Sequence, residues 1–130
     1  MRRLRVVAAV VRRADRLLIT RRLDRPGEPG QWEFPGGKVE PDEDEPAALR
    51  RELEEELGCG AEVGPLLLRH VHAYAALEVE LAFYRCTLEP GAVPRPLGVA
   101  EIAWAPRGTL GGYDFLDADR AVLSELERLA

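Results

Sequence analysis

The chain has 130 residues, of which 46% are hydrophobic and 32% are charged, the profile of a soluble globular protein with one core. The formal net charge of -5 argues against broad binding to a nucleic-acid polymer, which needs a basic surface. No apolar stretch is long enough to span a membrane, and the two cysteines, Cys59 and Cys86, form no CxxC pair. We therefore expect a single cytoplasmic domain over residues 1–130, with two buried thiols and no membrane contact.

The N-terminal part of the chain predicts three strands and one long loop. Apolar and β-branched residues predict strands over 4–11 and 17–20, joined by a turn. Residues 23–31 contain two prolines and two glycines and predict a loop. Residues 32–34 predict a short strand that leads into the glycine turn at 35–37.

The next segment predicts a helix that begins near Asp44 and ends at Leu57. Acidic residues in its first turn suit the positive end of the helix dipole, and Gly58 follows as a C-terminal cap. Leu49 and Leu53 lie eight and four residues before Leu57, so the three leucines form an apolar stripe. This stripe predicts that one side of the helix packs into the core.

The C-terminal half predicts three more strands and a closing helix. Residues 66–72 and 77–88 predict two strands, and residues 89–98 a loop rich in proline and glycine. Residues 101–105 predict a short strand, and apolar residues at helical spacing predict a helix over 118–129. This order of elements indicates an α/β domain with a mixed sheet.

Three carboxylates of the predicted central helix share one stripe. Glu52, Glu55 and Glu56 lie at i, i+3 and i+4, so their side chains are neighbours on the helix surface. Like charges this close repel, and an uncompensated stripe costs stability. A divalent cation, which prefers oxygen ligands, would turn the stripe into a metal site. The alternative is a solvated acidic surface paired with Arg50 and Arg51.

The stripe belongs to a longer pattern with fixed spacing. Five residues separate Gly37 from Glu43, and seven more separate Glu43 from the Arg51-Glu52-Leu53-x-Glu55-Glu56-x-Gly58 segment. The pattern resembles the box of the Nudix hydrolase family, except that Cys59 occupies a position where the family has an aliphatic residue. The flanking residues 20–22 and 32–37 extend the resemblance to the MutT-type branch.

The resemblance implies a fold and a chemistry. The fold would be a Nudix-type α/β/α sandwich with a central mixed β-sheet. The chemistry would be hydrolysis of a nucleoside triphosphate to a monophosphate and pyrophosphate, with Mg²⁺ or Mn²⁺ as cofactor. A cation in such a site can polarise a phosphate and lower the pKa of bound water.

The resemblance also assigns roles to residues of the box. Glu52, Glu55 and Glu56 would bind the metal together with the carbonyl of Gly37, and Glu52 or Glu55 would act as general base. Arg51 would hold a carboxylate in place as part of the catalytic set. An auxiliary residue, Glu43, would brace Arg51 from the loop before the helix.

A further auxiliary residue is uncertain. Many relatives carry an additional acidic residue or histidine before the late tryptophan strand. Counting back from Trp104 places Gly98 at that position, so the role is in doubt. Glu101, closer to the tryptophan, could substitute, but a surface glutamate at a strand edge is the alternative.

Substrate contacts are predicted at three positions outside the carboxylate stripe. By resemblance, Arg22 would contact the phosphate or sugar, and Lys38, the only lysine of the chain, could add a phosphate contact. Asp119 matches the base-reading position of MutT-type enzymes. An ionised carboxylate only accepts hydrogen bonds, which suits the amine of cytosine or the N–H groups of a guanine-like base. We therefore expect a CTP- or dCTP-like substrate, or an oxidised purine such as 8-oxo-dGTP, in nucleotide-pool sanitising and DNA repair.

Several alternatives stay open at the level of sequence. Arg22 could be a surface arginine, and Asp119 could be a helix N-terminal residue favoured by the dipole. A stacking wall for the base could come from His70, His72, Tyr74 and Phe83, which could equally be core residues. Hydrolysis of ADP-ribose or a dinucleoside polyphosphate is the alternative activity, and a non-catalytic nucleotide sensor the alternative class. The sequence fits a monomer or a homodimer, and does not decide the base or the number of metal ions.

Overall fold

A computed structural model describes residues 2–130, and these residues form seven strands and three helices. The strands are Arg2–Arg13 (β1), Arg16–Arg21 (β2), Trp32–Glu33 (β3), Gly36–Lys38 (β4), Ala61–Tyr74 (β5), Leu77–Leu88 (β6) and Glu101–Pro106 (β7). The helices are Glu45–Leu57 (α1), Asp117–Arg120 (α2) and Leu123–Leu129 (α3). A single 3-10 turn, Leu110–Gly112, precedes α2. No helix in this part of the chain is long and apolar enough to cross a membrane.

The sheet is mixed, as the order of elements predicts. Its strands follow the order β3-β2-β1-β6-β5, with β4 beside β1 and β7 beside β2. Only β1 and β6 run parallel, with Val6 opposite Leu81, and the other pairs are antiparallel. Strand β1 therefore lies at the centre of the sheet and connects its two halves.

Helices cover both faces of the sheet, which confirms the predicted α/β/α layers. Val7 and Ala9 of β1 pack in the same buried cluster as the leucines of α1. Ala8 and Val10 belong to a second cluster that contains Ala118 of α2 and the apolar residues of α3. The alternation along β1 follows from the period of two in a strand.

Helix α1 begins and ends as its sequence predicts. The Asp44 side chain accepts a hydrogen bond from the Ala47 amide at 2.8 Å and caps the N-terminus. Gly58 ends the helix in the left-handed region at φ 67°, where glycine avoids the strain of a side chain. Leu49, Leu53 and Leu57 are fully buried.

Two predicted boundaries are wrong. Strand β5 begins at Ala61 rather than at residue 66, because its pairing with β6 continues through irregularities between Val63 and Leu68 that accommodate a glycine and a proline. The predicted closing helix over 118–129 is divided into α2 and α3. The division falls at Val122, whose φ of -121° and ψ of 8° do not continue a helix.

Glu45 has a role that the sequence does not indicate. Instead of facing solvent in the first turn, it is 8% exposed and accepts two hydrogen bonds from Arg69, at 2.7 and 2.8 Å. Arg5 and the Tyr84 hydroxyl donate at 2.9 and 2.5 Å. These contacts hold the start of α1 against β1, β5 and β6. The hydrogen bonds from Arg69 contribute most to lowering the pKa of Glu45 to about 2.

Candidate active site

A cleft of about 550 Å³ opens where α1, β4 and the first half of β1 meet. The loop after β2 and Asp119 of α2 also line it. The predicted site residues that line this cleft are Arg22, Gly37, Lys38, Glu52, Glu56 and Asp119. The fold therefore brings the box together with most of the predicted substrate contacts.

The floor of the cleft joins two of the predicted metal ligands to the glycine turn. The Glu52 carboxylate packs directly on Gly37, where a Cβ would lie 2.5 Å from one carboxylate oxygen, so a larger residue here would displace this carboxylate. The Glu56 carboxylate accepts a hydrogen bond from the Gly36 amide at 3.1 Å. Glu55 lies apart from this pair, because its exposed side chain turns towards Arg51 at 3.4 Å.

Arg51 ties the helix to the glycine turn. Its guanidinium donates to both oxygens of Glu43, at 2.7 and 2.8 Å, and to the Lys38 carbonyl at 3.1 Å. A further hydrogen bond of 3.0 Å reaches Glu52. The contact with Glu43 is the one expected across the turn. It lowers the pKa of Glu43 to about 2 and raises that of Arg51 above its usual range.

The cleft concentrates negative charge that no cationic side chain fully neutralises. Burial, together with the smaller effect of the charges of Glu33 and Glu52, raises the pKa of Glu56 to about 8. Burial also raises the pKa values of Glu52 and Glu33. Buried oxygens with excess negative charge fit a hard divalent cation. Gly37, Glu52 and Glu56 are the residues placed to hold one.

The carboxylates do not yet converge on one metal position. Within residues 2–130, no three histidine, cysteine, aspartate or glutamate side chains lie close enough to hold a metal ion together. Glu55 would have to turn away from Arg51 to join Glu52 and Glu56. The donor set therefore fits a divalent cation, but its third carboxylate needs a change of rotamer.

Asp119 lines the cleft and is 3% exposed. One of its oxygens accepts a hydrogen bond from the Phe34 amide at 2.9 Å, which ties α2 to the chain just before the glycine turn. Burial is the main cause that raises the pKa of Asp119 to about 7. Its carboxyl can therefore exist in either protonation state near neutral pH. The prediction from sequence was based mainly on the ionised form of the Asp119 carboxyl.

The other predicted residues differ in whether they line the cleft. Arg22 lines the cleft and donates to Glu33 at 3.1 Å, and Lys38 lines it as an exposed side chain. Glu101 is exposed, pairs with Arg21 at 2.7 Å and does not line the cleft. Gly98, the position matched by counting, lies in the cleft beside Glu56.

The proposed stacking wall divides into core and surface. Phe83 is fully buried against Phe34, so it is a core residue, which was the alternative to the stacking wall. His70, His72 and Tyr74 form a row on β5, outside the residues that line the cleft.

Glu33 and Arg25 are among the cleft residues that were not predicted from the sequence. Glu33 lines the cleft between Arg22 and the α1 carboxylates, and only its place just before the glycine turn could have indicated it. Arg25 lines the cleft from the loop after β2, where its backbone forms two hydrogen bonds with Glu28. A loop rich in proline and glycine gives no sequence signal for such an ordered turn.

Comparisons with known proteins agree with this geometry. The family model described as NUDIX domain matches residues 1–125. An 8-oxo-dGTP diphosphatase of Escherichia coli (strain K12) is 30% identical over 139 aligned positions that cover 99% of this chain and 100% of the relative. A CTP pyrophosphohydrolase of the same organism is 47% identical over 70 residues, which cover 54% of this chain and only about half (52%) of that relative. The solution structure of the E. coli ORF135 protein superposes with a TM-score of 0.86 at 31% identity, covering 99% of this chain and 91% of that one.

Proposed function

The chain belongs to the Nudix family, and we propose that it hydrolyses a nucleoside triphosphate between the α and β phosphates, with Mg²⁺ or Mn²⁺ as cofactor. Water and the triphosphate would yield a nucleoside monophosphate and pyrophosphate. The observation that carries this proposal is the pair of half-buried carboxylates, Glu52 and Glu56, which pack against Gly36 and Gly37 and whose pKa values are raised by burial and by neighbouring carboxylates. We propose that residues 1–130 act as one Nudix domain.

Each residue of the box has a part in this proposal. Glu52, Glu56 and the Gly37 carbonyl would hold the cation, and Glu55 would join them on leaving Arg51. The bound cation would supply charge neutralisation at the phosphoryl oxygens and a lowered pKa for bound water. Glu52 or Glu55 would accept the proton of the attacking water. Arg51, fixed by Glu43, keeps the Glu52 carboxylate against the glycine turn.

Cationic side chains at the mouth of the cleft would bind the phosphate chain. Arg22 is fixed by Glu33 and lines the cleft, and the exposed Lys38 lies at the other side of the glycine turn. Both would bring positive charge to a cleft whose floor is acidic. Their position supports a triphosphate that extends from Asp119 towards the α1 carboxylates.

Asp119 would read the base. With a pKa of about 7, its carboxyl can accept a hydrogen bond from an amine when ionised and donate one to a carbonyl when protonated. A cytosine and an oxidised guanine both fit this range of hydrogen bonding. Two relatives are named after such substrates, a CTP pyrophosphohydrolase and an 8-oxo-dGTP diphosphatase. Their names support CTP, dCTP or 8-oxo-dGTP as candidate substrates of this chain. The role would be removal of unwanted nucleotides from the pool.

A pyrophosphate-release screen tests this function. Purified protein with Mg²⁺ or Mn²⁺ is offered CTP, dCTP, 8-oxo-dGTP and the common nucleoside triphosphates, with ADP-ribose and a dinucleoside polyphosphate for comparison. Release of pyrophosphate and a monophosphate from a triphosphate is expected. Failure to turn over any triphosphate with either metal would reject the proposal.

A variant of the box separates an enzyme from a nucleotide sensor. Glu52→Gln should lose turnover and still bind nucleotide. Glu54→Gln is the matched control, because Glu54 lies on the same helix and is exposed to solvent. Equal activity in the two variants would contradict the assigned role of Glu52.

A further inference from the structure

The only two histidines of the chain lie next to each other, away from the box. His70 and His72 are two residues apart on β5, so their side chains project from the same face of the strand. Nε2 of His70 lies 3.3 Å from Nδ1 of His72. Neither histidine lines the cleft, so the proposed hydrolysis does not account for this pair.

The separation of these nitrogens matches the spacing of two ligands on one tetrahedral zinc ion. Zinc lies about 2.0–2.1 Å from imidazole nitrogens, so two nitrogens on a tetrahedral ion are about 3.3–3.4 Å apart. Square-planar coordination with similar bond lengths would bring them to about 2.8–3.0 Å. The ring centroids are 5.5 Å apart and the ring planes differ by 47°, so the rings are not stacked face to face.

The histidine pair lies at an edge of the sheet. Strand β5 is at the end of the sheet path, and both imidazoles are half-buried rather than enclosed. Their neighbours across β6 are apolar, Leu81 beside His70 and Val79 beside His72. Such neighbours offer the imidazoles no hydrogen-bond partner, so the polar contact of each ring is with the other ring.

From this geometry we propose that His70 and His72 form a zinc-binding site that is separate from the carboxylate cleft. The two imidazoles supply two ligands, and water completes the coordination sphere. Imidazole suits zinc and other late first-row metals, whereas Mg²⁺ prefers oxygen ligands. The site therefore discriminates against the cation proposed for hydrolysis.

The site connects to the far end of the cleft through one further residue. The His72 ring packs edge-on against the Tyr74 ring, with centroids 5.0 Å apart. The Tyr74 hydroxyl accepts a hydrogen bond from the Ala118 amide at 3.3 Å, next to Asp119 in the chain. Zinc at the histidine pair would thus order the side of the molecule that supports α2.

A zinc titration observed at the imidazole nitrogens tests the site. Protein labelled with ¹⁵N at histidine gives only two imidazole spin systems, which makes the assignment direct. The titration is done with excess Mg²⁺ present to occupy the carboxylate cleft. One equivalent of Zn²⁺ should shift both imidazoles together, with Nε2 of His70 and Nδ1 of His72 bound to metal. Mg²⁺ alone should shift neither.

Variants show whether the two histidines act together. His70→Gln and His72→Gln should each weaken zinc binding by at least about tenfold in a competition assay with a zinc indicator, because a chelate becomes a single ligand. Glu54→Gln, an exposed carboxylate of α1, should leave the affinity unchanged. Backbone amide spectra of each variant verify that it is folded.

Two results would overturn the proposal. One is that millimolar Zn²⁺ shifts neither imidazole, which would identify the 3.3 Å contact as an N–H···N hydrogen bond only. The other is that each histidine binds zinc with the same affinity when its neighbour is replaced.

Discussion

Two groups of acidic residues on and around α1 differ in what surrounds them. Glu43 and Glu45 accept hydrogen bonds from arginines, and the pKa of each falls to about 2. The half-buried Glu56 and the buried Asp119 lie in the cleft without hydrogen bonds from arginines, and their pKa values rise to about 8 and about 7.

The difference separates acids that hold the fold together from acids available for chemistry. A carboxylate matched by arginines gains stability from being charged, whereas a carboxylate buried with other carboxylates loses it. Groups with such perturbed pKa values are common at functional sites. The first group therefore fixes the helix α1, which carries Glu56 of the second group.

The largest expected effect is on catalysis at Glu52. Replacing Glu52 by Gln removes a charge from the cleft and a candidate general base, and should lower kcat by on the order of 10²–10⁴-fold. Because the cleft then carries less repulsive charge, the melting temperature should stay the same or rise. If Glu52→Gln lost activity and also unfolded at a lower temperature than the wild type, Glu52 would instead belong with the acids that hold the fold together.

Asp119 should make stability depend on pH. Its raised pKa means that the folded protein retains a proton that the unfolded chain releases near pH 4, so this stabilisation is present below pH 4 and is lost as pH rises through about 7. Asp119→Asn keeps an acceptor for the Phe34 amide but cannot ionise. Between pH 4 and pH 8, wild type should lose on the order of 3–4 kcal/mol relative to Asp119→Asn, at about 1.4 kcal/mol per pKa unit.

Denaturant unfolding of both proteins across this range measures the difference. Buffers at several pH values and a common ionic strength isolate the contribution of Asp119, because the other groups titrate in both proteins. A difference that stays constant from pH 4 to pH 8 would show that the Asp119 pKa is not raised.

Glu45 should behave in the opposite way. Glu45→Gln should destabilise the fold by about 3 kcal/mol, at the low end for a broken buried ion pair, because Arg5 and Arg69 can turn to water. Because the pKa of Glu45 is lowered, its contribution to the stability of the fold is present above about pH 4 and is lost as pH falls through about 2. Unfolding at pH 7 measures this loss, and Glu54→Gln is the exposed control. If Glu45→Gln were as stable as the wild type, Glu45 would not be one of the acids that hold the fold together.

The smallest expected effects are at the arginines of the cleft mouth. Arg22→Gln and Arg25→Gln should each raise KM by about 2–5-fold, since an exposed ion pair with phosphate supplies about 0.4–1 kcal/mol. Arg50→Gln removes the same charge from an exposed position on α1 and should leave KM unchanged. An equal rise in KM in all three variants would indicate that only the overall charge of the protein affects substrate binding, and not the positions of Arg22 and Arg25.

The parts of the structure that were predictable from sequence are those set by local spacing. The leucines of α1, its cap at Gly58 and the contact between Glu43 and Arg51 follow from positions a few residues apart. The hydrogen bond from Phe34 to Asp119 and the contacts of Glu45 with Arg5, Arg69 and Tyr84 join distant segments, and only tertiary packing creates them. The same holds for the division of the last helix at Val122. Spacing therefore predicted that Glu52 and Glu56 lie together, as they do in the cleft, but not which acid holds the helix to the sheet.

Proton release on metal binding tests most directly whether the buried carboxylates of the cleft form a divalent-metal site. At pH 7 a Glu56 with a pKa of about 8 is mostly protonated, so binding a cation must displace between about half a proton and one proton. Calorimetric titration of Mg²⁺ or Mn²⁺ in buffers with different ionisation enthalpies counts these protons. The account predicts release in wild type and its loss in Glu56→Gln. Metal binding without proton release, or equal release in both proteins, would contradict it.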